Sequence, residues 1–71
     1  MKTRGQIIQD ARKEARLTQV QLGALVGVGA SAVSMIEAGK RAGSTEVLVR
    51  IALALDLTAG SVVAAPWKVE A

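Results

Sequence analysis

Cysteine and histidine are both absent from the 71 residues of this sequence. Their absence excludes disulfides, thiol nucleophiles, imidazole general bases and the commonest ligands of zinc. A chain of this length forms one domain, which is too small to hold both a catalytic cleft and the core that would support it. We therefore expect no enzyme activity, no catalytic residue, no metal ion and no cofactor.

Acidic residues are the minority among the charged side chains. Six Asp and Glu stand against nine Lys and Arg, which gives a formal net charge of +3. This balance points towards an anionic partner but is not specific, since many small proteins carry such a charge without binding nucleic acid. The hydrophobic fraction of 51% predicts a folded chain, because it supplies enough apolar surface to offset the loss of chain entropy.

The longest uncharged segment, residues 17–36, raises the alternative of a membrane helix. Polar side chains interrupt this segment, and two glycines near its centre, Gly27 and Gly29, would weaken a continuous helix. The first residues are followed by a mixed polar segment and not by an apolar run with a cleavage site. We therefore expect a cytoplasmic protein without a membrane partner.

Apolar residues recur at helical spacing through most of the chain, which predicts an all-α fold. Two helix starts, Thr3 with Gln6 and Thr18 with Gln21, have the form of a capping box. In this motif the hydroxyl accepts from a helix amide, and the glutamine reaches back to the cap. Gly27 is suited to a left-handed exit from the second helix.

These signals predict helices over about residues 4–15, 18–26, 29–39 and 44–55. After them, residues 58–63 fit a short fifth helix or, through adjacent valines, a strand, and the helix is favoured. Pro66 ends this element, so we expect one domain over residues 1–65 and a tail over 66–71. The residues expected in the core are Ile8, Ala11, Ala15, Leu22, Leu25, Val26, Val33, Ile36, Leu48, Ile51, Ala52 and Leu55.

The second and third predicted helices have the spacing of a helix-turn-helix. A small residue at Gly23 lets two helices cross closely, and Gly27 allows a tight turn. Val33 and Ile36 would then pack the second helix of the pair against the first. In such a unit the second helix lies in the major groove of DNA, with its N-terminal residues against the base edges. The spacing therefore predicts double-stranded DNA as a partner.

The chain resembles the Cro/CI-type (XRE) helix-turn-helix domain over about residues 7–63. The resemblance implies a compact five-helix, lambda-repressor-like DNA-binding domain with the helix-turn-helix at helices 2 and 3. It also implies a transcriptional regulator, in particular a repressor, that binds a palindromic operator as a homodimer. The segments that carry the resemblance are LTQVQLG (17–23), GV (27–28), VSMIEAGKR (33–41) and LVRIALAL (48–55).

The resemblance further implies which residues contact DNA. Thr18 and Gln19, at the start of the second helix, would contact a phosphate, and Lys40 and Arg41 would hold the backbone beyond the third. Relatives usually carry Ser and Arg or Gln at several of the base-reading positions, so this chain should have weak base specificity or rely on thymine methyls and DNA shape. The residues at the base-reading positions are Gly29, Ala30, Ser31, Ser34 and Met35.

Two further sets of charges are candidates for a role. Arg12 and Glu37 match positions at which the family pairs an arginine of the first helix with the glutamate that ends the third. We expect a partly buried ion pair that orients the recognition helix, and the alternative is two solvated surface charges. Lys2 and Arg4 are expected either in a solvated basic surface or in an N-terminal arm that binds phosphate.

The end of the chain is the expected site of protein contacts. Dimerisation is expected through the fourth and fifth helices and the tail, with Val62, Val63 and Trp67 as apolar contacts. The Trp67 ring has two interpretations: it folds onto an apolar groove of the domain or dimer mate, or it anchors another protein. HipB-like antitoxins are similar domains whose C-terminal segment engages a toxin. The resemblance thus leaves an antitoxin or adaptor that binds a partner protein as the alternative function.

Overall fold

The computed structural model describes residues 2–68. Within that range the chain forms five helices and no strand, so the predicted all-α class and the short fifth helix are confirmed. Met1 and the last three residues of the predicted tail lie outside the described residues. The helices are α1 (Arg4–Glu14), α2 (Gln19–Val26), α3 (Ala30–Glu37), α4 (Thr45–Ala54) and α5 (Ala59–Val63).

Polar side chains begin three helices at the predicted residues. Thr18 Oγ1 accepts from the amide of Gln21 at 3.0 Å, and Gln21 Oε1 accepts from the amide of Thr18 at 2.8 Å. Thr3 forms the same capping box at the start of α1. Ser44 Oγ accepts from the amide of Val47 at 3.2 Å and begins α4. Each cap satisfies a first-turn amide that the helix itself leaves without an acceptor.

Gly27 ends α2 and turns the chain into α3. Its φ of +81° lies in the left-handed region, which glycine enters without the steric cost of a side chain. The chain bends by 108° between α2 and α3. No single helix of the described residues is long and apolar enough to cross a membrane, and α2 and α3 pass that test only as a pair joined by this bend.

One hydrophobic core joins all five helices. Two predicted members are wrong, since Ala15 is exposed and Leu25 is 64% exposed. Ala15 lies at the C-cap, where α1 has already ended. Leu25 is rotated about 100° from the centre of the buried face of α2, because that face includes Gly23. The buried apolar residues are Ile8, Leu22, Val26, Val33, Ile36, Leu48, Ile51, Ala52, Leu55 and Val62.

Gly5 allows α1 to pack directly on the backbone at the end of α3. A Cβ atom at this position would lie 2.7 Å from the carbonyl carbon of Glu37 and 2.7 Å from the carbonyl oxygen of Ile36, and would be closer still to the carbonyl oxygen of Glu37. These neighbours are backbone atoms and cannot rotate away. The sequence carries no signal for this contact, since a glycine in the first turn of a helix does not indicate what packs against it.

We expect Gly5→Ala to lower the free energy of unfolding by about 2 kcal/mol, because α1 and α3 must separate to admit the methyl group. This loss would exceed the gain of up to about 1 kcal/mol that alanine brings through helix propensity. Urea unfolding followed by circular dichroism measures it. Gly60→Ala is the matched control, because a Cβ atom at Gly60 meets nothing within 4 Å. Equal stability of the two variants would contradict the close packing.

Candidate nucleic-acid interface

The side of α3 that faces away from the core carries the predicted base-reading side chains. Val33 and Ile36 anchor the opposite side, with 0% and 4% of their surface exposed. At about 100° per residue, the outward side chains fall within an arc of roughly 140°. None of them is buried. We call this surface the outward arc of α3, and its members are Ala30, Ser31, Ser34 and Met35.

The start of α3 is open to an approaching molecule. Gly29 is the N-cap, with an extended backbone and no side chain that occupies the space in front of the helix. A Cβ atom built on Gly29 meets no atom of the described residues within 4 Å. Another backbone can therefore come close to the first turn of α3 without a steric clash.

Gln19 lies at the start of α2 and is linked to the end of α3. Its Nε2 donates to Glu37 Oε1 at 3.1 Å. A side-chain amide nitrogen carries two hydrogens, so this bond orients the group and leaves one hydrogen for another acceptor. The hydroxyl of Thr18 beside it accepts from the amide of Gln21, and its role is to begin the helix.

Arg12 and Glu37 lie together as an ion pair with two hydrogen bonds. Arg12 Nε donates to Glu37 Oε2 at 2.6 Å, and Nη2 donates to Oε1 at 3.0 Å. The third nitrogen, Nη1, donates to the carbonyl of Leu17 at 2.8 Å. The two side chains are only 10% and 3% exposed, so they are not solvated surface charges. The hydrogen bond that Arg12 donates to Glu37 raises the pKa of Arg12 despite the opposing effect of burial.

Lys40 and Arg41 follow α3 directly and are both exposed. The chain leaves the helix through Gly39, whose φ is +76°. The amides of Lys40 and Arg41 both donate to the carbonyl of Met35, at 2.9 and 3.3 Å. These bonds hold the backbone of the two cationic residues against the last turn of α3.

Arg4 is not part of a basic arm, and this expectation is wrong. Only 7% of the residue is exposed. Its Nε donates to the carbonyl of Val62 at 3.0 Å, Nη2 to that of Val63 at 2.7 Å, and Nη1 to that of Ala42 at 2.6 Å. Arg4 therefore joins α1 to the end of α5 and to the α3–α4 connection, whereas Lys2 is exposed. The sequence carries no signal for this clamp, because its acceptors are backbone carbonyls.

The predicted dimer contacts fall in different environments. Val62 lies on the inward face of α5 and is fully buried in the core of its own domain. Its assignment as a dimer contact is therefore wrong. Val63 and Trp67 are half-buried. The carbonyl of Pro66 accepts from the amide of Arg4 at 2.7 Å, which holds the start of the predicted tail against the beginning of α1.

Comparison with known proteins gives a family and similar solved structures. The family model for helix-turn-helix domains, HTH_3, matches residues 8–61. The fold is similar to that of the P22 c2 repressor solved with a synthetic operator, with a TM-score of 0.83 and 27% identity over 87% of this chain and 94% of that one. It is also similar to a chain of the SinR–SinI protein complex, with a TM-score of 0.75 and 29% identity over 82% of this chain and 57% of that one. No curated protein sequence matches the chain significantly.

The matched region begins in α1 and ends in α5, so it contains the whole helix-turn-helix together with α4. The order of the five helices and the likeness to the P22 c2 repressor confirm the predicted lambda-repressor-like architecture. The chain therefore belongs to the Cro/CI-type (XRE) family of helix-turn-helix DNA-binding transcription regulators.

Proposed function

We propose that this protein is a cytoplasmic repressor that binds a palindromic operator in double-stranded DNA as a homodimer. The recognition helix, α3, enters the major groove with its outward arc against the base edges. The observation that carries this proposal is that the outward arc of α3 is unobstructed and that groups suited to phosphate lie beside the C-terminal end of this helix.

Two kinds of phosphate ligand lie near the C-terminal end of α3. Gln19, which bonds to Glu37 at that end, has a free side-chain hydrogen, and the first amides of α2 have no acceptor within the helix. The exposed cations Lys40 and Arg41 follow the same end of α3. Such contacts fix a helix in the groove but are independent of the base sequence.

The dimensions of the domain fit two copies on adjacent half-sites. The described domain measures 31 × 23 × 22 Å. Two copies side by side on one face of DNA would space their recognition helices by roughly the 34 Å of one helical turn. The similar P22 c2 repressor structure contains a synthetic operator. We therefore expect half-sites about 10 base pairs apart.

Selection of bound duplexes from a random DNA pool tests this function. The purified protein is expected to recover a palindrome with half-sites about one turn apart. Its affinity for DNA should fall steeply between low and physiological salt, because protein binding releases salt cations condensed on the DNA phosphates. Recovery of duplexes without a common sequence, lost as the salt concentration rises, would contradict an operator-specific repressor.

We expect Lys40→Ala to weaken binding to every duplex by the same factor. In a homodimer the substitution removes two phosphate contacts, so the slope of log K against log salt should become less steep by about 2. Fluorescence anisotropy across a salt series measures this slope. Arg50→Ala is the control, because it removes the same charge from α4, where Arg50 pairs with Glu46 at 2.6 Å. An unchanged slope for Lys40→Ala would exclude Lys40 from the interface.

An antitoxin or adaptor that binds a partner protein is the second candidate function. Three large apolar side chains outside the outward arc of α3 favour it: Val20, Leu25 and Leu53 are 66%, 64% and 75% exposed. The similar structure of the SinR–SinI complex is an assembly of two proteins. Under this alternative, Trp67 in the C-terminal region anchors the partner, so Trp67→Ala should abolish capture of that partner and leave DNA binding intact. The two functions are compatible in one protein.

A further inference from the structure

The outward arc of α3 has an unusual chemical composition for a surface that reads base edges. From Gly29 to Met35 it offers two hydroxyl groups, a methyl group and a thioether, and it has neither a charged nor an amide side chain. Glu37 is the only charged residue of α3, and its side chain is 3% exposed. Arg12 and Gln19 hold its carboxylate on the core side of the helix.

This composition limits which bases α3 distinguishes. A bidentate contact to guanine requires Arg or Lys, one to adenine requires Asn or Gln, and cytosine is read by an acidic acceptor. None of these side chains lies on the outward arc. The hydroxyls of Ser31 and Ser34 bond to donors and acceptors alike. Apolar contact is therefore the discriminating interaction that this surface provides.

The C5-methyl group of a pyrimidine is the apolar group that a base presents in the major groove. We propose that the protein reads its operator through pyrimidine C5-methyl groups, which pack against Ala30 and Met35. Thymine supplies this methyl group in ordinary DNA, and 5-methylcytosine supplies it in methylated DNA. This inference rests on the proposed function and specifies the DNA that the recognition helix selects.

The two side chains lie at opposite edges of the outward arc of α3. Ala30 lies in the first turn of α3, beside the open space at Gly29. Met35 lies five residues further on, a rise of about 7.5 Å, and about 140° around the helix, so the two side chains meet methyl groups of different base pairs. The unbranched thioether of Met35 has three rotatable bonds and adapts to a methyl group in a slightly different position.

The exposed cations do not supply base-specific contacts at the Ala30 end of α3. Lys40 and Arg41 lie beyond Gly39, at the opposite end of α3 from Ala30. Their backbone amides are bonded to the carbonyl of Met35, and about 12 Å separates that end from the first turn. They reach phosphates beside the last turn, whereas the bases opposite Ala30 meet only apolar and hydroxyl groups.

Replacing thymine by uracil isolates the methyl group, because it changes nothing else on the base. Burying one methyl group contributes about 0.8 kcal/mol, or roughly a fourfold change in affinity. If each half-site of a palindrome has two such contacts, replacing every thymine of the selected duplex by uracil should weaken binding by roughly 200-fold. Equal affinity for the thymine and uracil duplexes would overturn the inference while leaving operator binding established. Absence of binding to either duplex at low salt would contradict the proposed function itself.

Two further random pools distinguish the sources of the methyl group. One contains uracil in place of thymine, and the other contains both uracil and 5-methylcytosine in place of the ordinary pyrimidines. Thymine in the consensus of the ordinary pool, and 5-methylcytosine in that of the doubly substituted pool, would both support methyl reading. A strong consensus from the pool that contains uracil and unmethylated cytosine would overturn it.

A pair of variants tests whether Met35 makes the contact. Met35→Ala is expected to reduce the ratio of thymine to uracil affinity by about sixteenfold, since it removes one methyl contact in each half-site. Lys40→Ala is the matched control and should weaken both duplexes equally. Loss of affinity in Met35→Ala without a change in the ratio would contradict the assignment of Met35.

Discussion

Arg12→Ala is expected to lower the free energy of unfolding by about 3–5 kcal/mol, because it leaves the Glu37 carboxylate in a nearly buried site without its cationic partner. The carbonyl of Leu17 loses its donor in the same variant. A domain of this size has a total stability of about 4–10 kcal/mol. The substitution would therefore remove a large part of that stability.

Thermal unfolding followed by circular dichroism measures this effect, and the loss corresponds to a fall in Tm of about 12 °C or more. Glu46→Ala is the control, because it breaks the exposed pair with Arg50 and should cost at most about 0.5 kcal/mol. A double variant, Arg12→Met with Glu37→Leu, should recover most of the stability, since neither charge is then buried alone. An unchanged Tm in Arg12→Ala would show that the pair does not support the fold.

Arg4→Ala is expected to lower the free energy of unfolding by about 3 kcal/mol, because the carbonyls of Ala42, Val62 and Val63 all lose their donor. The α5 helix has only five residues and depends on contacts with the rest of the domain. We therefore expect the end of α5 and the segment at Pro66 to separate from α1 before the remaining helices unfold.

Urea unfolding with two probes tests this prediction: circular dichroism reports on all helices, and the fluorescence of Trp67 reports on the C-terminal segment alone. The Trp67 transition should occur at lower urea concentration in Arg4→Ala. Arg4→Lys should recover less than half of the loss, because an ammonium group cannot reproduce the planar fork that contacts three carbonyls. Lys2→Ala, at an exposed position, should change stability by less than about 0.5 kcal/mol. Full recovery in Arg4→Lys would contradict the clamp.

Local signals predicted the helix boundaries because the atoms involved lie within four residues of one another. The capping boxes at Thr3 and Thr18, the cap at Ser44 and the left-handed exit at Gly27 all form at the predicted positions. Each depends on the conformation of a few consecutive residues, and no distant part of the chain is required.

Burial was harder to predict, because it depends on which neighbour covers each helix. Leu25 fits an apolar pattern on α2, yet the helix turns Gly23 towards the following turn and leaves Leu25 exposed. Val62 fits an exposed dimer contact near the chain end, yet α5 packs it into the core. Hydrophobic periodicity identifies a helical face, but only packing determines its direction.

The amino-acid sequence by itself determined the all-α class, the helix-turn-helix and the composition of the recognition helix, because spacing and side-chain chemistry are local properties. Only the tertiary structure decided that Arg4 is a buried clamp and that Gly5 is a backbone contact. It also decided that Gln19 joins the predicted pair of Arg12 and Glu37. The physical reason is that these contacts join residues 18 to 59 positions apart in sequence, through either backbone carbonyls or a single carboxylate. A carbonyl is present at every residue, so its partner is known only when the chain has folded.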